Sequence, residues 1–128
     1  MKTINFRVSK KHIKKSIKIF DEIAGSGDYC QCCPIAISLR ERFPSVDKIE
    51  VIGVEVKFQT EEKKFSAFLD YKSKRFLDEF DYWNSRRNCG VENFRQRVSN
   101  LVFRWYNHPK PIESVLKIPE ELLIWQNT

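Results

Sequence analysis

Glycine and proline are scarce in this 128-residue chain, at four and five residues, which excludes collagen-like and low-complexity sequence. With aromatics at 13%, the chain is not one that lacks the apolar surface to fold. Nowhere does it reach the roughly 20 consecutive apolar residues that span a bilayer. The opening Met1 to Arg7 lacks the apolar run of a secretory signal. A cytoplasmic protein with no membrane partner is expected. Cysteine is sparse as well. In a reducing compartment Cys30, Cys32, Cys33 and Cys89 are expected to be thiols or ligands rather than two disulfides.

What is present points to one core and a basic surface. The length suits a single compact domain that needs no cofactor to hold it together. Twenty-three Lys and Arg against seventeen Asp and Glu leave a net charge of +6, which favours acidic partners: nucleic acid or an acidic protein face. A charge of this size also serves solubility alone.

Ile4, Phe6 and Val8 alternate with polar residues, the period of a half-buried strand. Ser9 then caps a helix from Lys10 to Ala24, with Ile13, Ile17 and Phe20 on one face and Gly25 placed to stop it. Gly25 to Asp28 reads as the most flexible stretch. Pro34 favours the first turn of a second helix, which places Cys33 at its N-cap and ends at Pro44. Residues 49–58 read as one strand with a bulge at Gly53, and residues 64–71 as its antiparallel partner. A third helix, capped by Ser73, carries Phe76, Leu77, Phe80 and Trp83. A fourth carries Val91, Phe94, Val98, Leu101, Val102 and Trp105 at helical spacing. On these stripes Phe94 and Trp105 are expected in the core, and Tyr106 and Trp125 at the surface. Ile112 to Ile118 forms the last strand. The order β-αα-β-β-αα-β predicts an α+β fold, a four-stranded and mainly antiparallel sheet with helices on one face. The ferredoxin-like βαββαβ arrangement is its candidate topology.

Three groups of residues could carry chemistry. Cys30 and Cys33 form a C-x-x-C pair that Cys89 could extend toward a metal shell, but a second ligand pair is missing. Cys33 at a helix N-terminus could be a stabilised thiolate with His12 as base; no third orienting residue is legible, and a packed helix start explains Cys33 equally. Finally, Lys10, Lys14 and Lys18 follow one i, i+4 row of the first helix, and Lys11 and Lys15 another. Together they form a face that would attract phosphate. Arg86 and Arg87, then Arg95, Arg97 and Arg104, add charge later. No zinc finger, helix-turn-helix or ribonucleoprotein signature accompanies them.

The pair His12-Ile13 followed by Cys33-Pro34-Ile35-Ala36-Ile37 resembles a group of small bacterial and bacteriophage proteins with a "CPIAxAL"-type helix start. Ile118 to Leu123 resembles the group's "IPEELL" ending. Ser38 departs from the group's alanine, and Cys30 and Cys32 lie outside its pattern. The resemblance implies a bacterial or mobile-element origin and carries over no activity, cofactor or site residue. The expectation is a small, non-enzymatic binding protein that engages nucleic acid or an acidic protein through Lys10, Lys11, Lys14, Lys15, Lys18, Arg86 and Arg87. The alternative is a thiol-dependent enzyme or redox protein using Cys33 and His12.

Overall fold

Alternating apolar residues build a sheet of five strands in the computed structural model, which describes residues 1–23 and 29–126. The strands are β1 (Lys2–Val8), β2 (Lys48–Ile52), β3 (Glu55–Gln59), β4 (Lys64–Leu69) and β5 (Ile112–Ile118). They lie in the order β1-β5-β4-β3-β2, and every neighbouring pair is antiparallel. Helices α1 (Lys10–Ile23) and α2 (Pro34–Arg42) join β1 to β2; α3 (Tyr71–Asn84) and α4 (Phe94–Tyr106) join β4 to β5.

The α+β class is as expected, with one strand more. Residues 49–58 are two strands rather than one with a bulge. Gly53 adopts φ +62, a left-handed conformation that glycine takes without a Cβ penalty, and the chain reverses there instead of bulging. The ferredoxin-like order is followed only roughly: the sheet has five strands, and the paired helices return β5 directly beside β4, between it and β1.

One face of the sheet is buried. Phe58 pairs with Phe65, Val56 with Ala67 and Ile4 with Leu116, and all six lie in the core. The opposite face carries Thr3, Asn5, Lys57, Ser66 and Lys117 into solvent. Against the buried face α1 sets Ile13 and Phe20, α2 sets Ile35, Ala36 and Leu39, and α3 sets Phe76, Leu77, Phe80 and Trp83. Each fully buried large apolar side chain contributes about 1.5–3 kcal/mol, so these three helices hold the sheet.

Helix boundaries follow from capping chemistry. Cys33 is the N-cap of α2, as its position before Pro34 predicts, and its Sγ accepts the Ala36 N–H at 3.4 Å. Asp70, not Ser73, caps α3: its Oδ1 accepts the Ser73 N–H at 2.9 Å. Tyr71 consequently begins the helix instead of ending the strand. The same carboxylate accepts the Ser114 hydroxyl of β5 at 2.7 Å, tying helix to sheet. Burial pushes the Asp70 carboxyl up, but these hydrogen bonds from Ser114 and Ser73 outweigh it and hold it below its usual range. The expected stop of α1 at Gly25 and the flexible stretch Gly25 to Asp28 lie outside the described residues. Among the described residues no helix is long and apolar enough to cross a membrane.

Candidate functional site

The lysine face of α1 is formed as its spacing predicts. Ile13 and Phe20 are buried and Ile17 packs against the core, which turns Lys10, Lys11, Lys14, Lys15 and Lys18 outward; all five are exposed. Lys11 lies 3.2 Å from Glu41 of α2. Lys10, Lys14, Lys15 and Lys18 make no ion pair among the described residues. Exposed ammonium groups without partners lose little on meeting a phosphate or carboxylate, because no existing pair must first be broken.

Arg86 and Arg87 lie on the turn after α3 rather than on α1. The Arg86 guanidinium lies 4.6 Å from the centre of the Phe103 ring and 5.6 Å from that of Tyr82, holding α4 to α3 by cation–π contact. Arg87 donates to the Phe20 carbonyl at 2.5 Å and lies 3.8 Å from Asp21, both on α1. Both arginines are half-buried and already have partners within the chain. Sequence spacing could not reveal this, since it depends on which loop returns over which helix.

His12 is buried and locked on both sides. Its Nδ1 accepts the Ser9 N–H at 2.9 Å and lies 3.0 Å from the Ser9 hydroxyl, while Nε2 lies 2.9 Å from Glu41 Oε2. A backbone N–H can only donate, so the ring proton is assigned to Nε2, which donates to Glu41. The His12 hydrogen bond, and then Lys11, hold the Glu41 carboxyl below its usual range. His12 thus satisfies the Ser9 N–H at the start of α1 and serves as a tie from α1 to α2. Neither ring nitrogen is left to take a proton from Cys33.

Cys33 itself is buried at 7% exposure, and burial pushes its thiol up from 9.0 to about 12. The Ala36 N–H favours the thiolate, as a helix N-terminus should, but desolvation exceeds it. The thiol-dependent reading requires the opposite shift. Cys30 and Cys33 do meet, in a cleft of about 490 Å³ lined also by Asp78, Asp81 and Asn84. Burial and then the neighbouring Asp78 hold the Asp81 carboxyl above its usual range. Cys89 is exposed on the turn after α3. Among the described residues no three His, Cys, Asp or Glu side chains are placed so that they could hold one metal ion, so Cys30, Cys33 and Cys89 do not form a shell.

The largest departure from expectation is α4. Its apolar stripe faces outward: Phe94 is 72% exposed, Leu101 57% and Trp105 75%. The side turned inward carries buried Asn100 and half-buried Phe103 and Arg104. The Arg104 guanidinium lies 4.3 Å from the Trp83 ring, and its carbonyl accepts the Trp83 indole N–H at 2.7 Å. Phe94 and Trp105 are therefore surface residues, and Trp125, expected outside, packs against the core. Tyr106 is exposed as expected. The available signal was charge: with Arg95 and Arg97 near one end of the stripe and Arg104 near the other, no arrangement could bury the stripe deeply without burying arginines.

Comparison of the chain with protein-family models, with curated proteins and with solved structures finds no match.

Proposed function

We propose that this chain is a small, basic, non-enzymatic binding protein of the bacterial cytoplasm that engages a polyanion, foremost nucleic acid, through the lysine face of α1. The observation that carries this reading is the exposure of all five lysines on one helical surface, Lys11 alone of them forming an ion pair among the described residues. Five cations on about two and a half turns of helix concentrate positive charge of the kind that contacts phosphates without regard to sequence. An acidic protein surface offers carboxylates to the same lysines and is the competing partner class. The resemblance at Cys33 to Ile37 suits a bacterial or mobile-element origin, within which an accessory protein acting on nucleic acid has a natural place.

A gel shift with a labelled oligonucleotide tests the reading. The native chain is expected to bind at low salt and to weaken linearly in log affinity against log salt, with a slope of about −0.7 to −0.9 per phosphate engaged. Replacing Lys11, Lys14, Lys15 and Lys18 by Glu should abolish the shift while leaving the unfolding transition in place. Absence of a shift by the native chain at low salt refutes the nucleic-acid reading.

A further inference from the structure

We infer that the outward face of α4 is a docking seam for an amphipathic helix with acidic flanks on a partner protein. Phe94, Val98, Leu101, Val102 and Trp105 fall on one roughly 100°-wide stripe of the helix, and all five are exposed. The spacing of Phe94, Val98, Leu101 and Trp105 is 4-3-4, the alternation of a seam that takes knobs from a facing helix. Thirteen residues give a seam about 20 Å long, enough to align i, i+3, i+4 and i+7 anchors.

The flanks select the occupant. At 100° per residue, Arg95 borders the stripe on one side and Arg97 on the other; Arg104, on the Arg97 side, is already turned in against the Trp83 ring. The helix contains no acidic residue, and neither Arg95 nor Arg97 makes an ion pair among the described residues. A second copy of this chain would set arginines against arginines and add its own net charge of +6, so self-association is opposed at the flanking positions that set coiled-coil pairing. A helix with Asp or Glu at those positions is complementary on both sides. Single-stranded nucleic acid satisfies the arginines, but Val98, Leu101 and Val102 in the middle of the stripe offer no flat ring for a base to stack on. Five side chains bury less than the roughly 1,200–2,000 Å² of a standard stable interface, so the complex belongs to the transient, micromolar class.

The seam is separate from the lysine face of α1, and variants distinguish the two. The probe is a labelled synthetic helix of about three heptads with Leu at a and d and Glu at e and g; a matched peptide carries Lys at e and g. Fluorescence anisotropy is expected to give saturable micromolar binding of the Glu-flanked peptide. Leu101→Asp, and separately Arg95→Glu with Arg97→Glu, should weaken it at least about tenfold, the scale of an interface anchor, and the α1 lysine reversals should leave it unchanged. Leu101 already faces solvent, so the variant should fold; Trp105→Ser supplies a second test if it does not. No binding of the Glu-flanked peptide, equal binding of the Lys-flanked peptide, displacement of the peptide by an oligonucleotide, or a native dimer that Leu101→Asp makes monomeric would each overturn the inference.

Discussion

Helices α1 and α4 are both amphipathic, yet they present opposite faces to water. The first buries Ile13 and Phe20 and exposes lysines. The second exposes Phe94, Leu101 and Trp105 and turns Asn100 inward. The difference lies in what each helix faces. The strands offer one apolar surface, and α1, α2 and α3 cover it; α4 packs on α3, through Phe103, Arg86 and the stacked Arg104 and Trp83. Helical periodicity declares that a face wants covering. It does not say that the same chain covers it.

The contrast can be broken by substitution. The largest expected effect is on α1, where Ile13→Ala should lower unfolding free energy by about 2–5 kcal/mol, while Leu101→Ala on α4 should stay within about 0.5 kcal/mol of the native chain. Chemical denaturation of the pair measures both; equal losses would place the α4 stripe inside the folding unit. Next comes the platform that carries α4. Asp70→Ala removes the α3 cap and its tie to Ser114, an expected loss of roughly 0.5–2 kcal/mol at neutral pH. The folded carboxyl lies below its unfolded value, so its contribution is present above the unfolded pKa and is lost as pH falls through the folded one. The native chain should therefore destabilise on acidification more steeply than Asp70→Asn.

Smaller effects concern the buried side. With the Cys33 thiol raised from 9.0 to about 12, the unfolded thiol ionises first as pH rises. This thiol then costs no stability below about pH 9 and an increasing amount between about pH 9 and 12. In Cys33→Ala that part of the alkaline decline should vanish when unfolding is followed against pH. Alkylation of the folded chain at neutral pH should modify exposed Cys89 and spare Cys33; rapid labelling of Cys33 would revive the thiol-dependent reading. The smallest effect is expected at Glu41→Gln. That change loosens the tie to His12 and Lys11, and a pair this exposed is worth at most about 1 kcal/mol, visible as a lower thermal midpoint.

Much of this fold was legible in the residues. Cys33-Pro34 announced a capped helix start, Ile4-Phe6-Val8 and Ile112 to Ile118 announced strands at the right places, and the Ile13/Phe20 stripe announced which way the lysines point. Local chemistry decides those features. What escaped depends on the partner across a gap in sequence. Gly53 reads alike as a bulge or a reversal until the register of Val51 with Val56 is known. Arg86 and Arg87 read as free charge until Phe103 and the Phe20 carbonyl arrive from other elements. His12 read as a base until Glu41 closed on its second nitrogen.

The most direct test of the lysine face is the affinity of the native chain for a labelled oligonucleotide, followed by anisotropy from about 50 to 200 mM salt, beside the chain with Lys11, Lys14, Lys15 and Lys18 replaced by Glu. The expected result is binding by the native chain that weakens steeply with salt, loss of that binding in the lysine variant, and its retention in Leu101→Asp. Native binding that ignores salt, or that survives reversal of the four lysines, would contradict it.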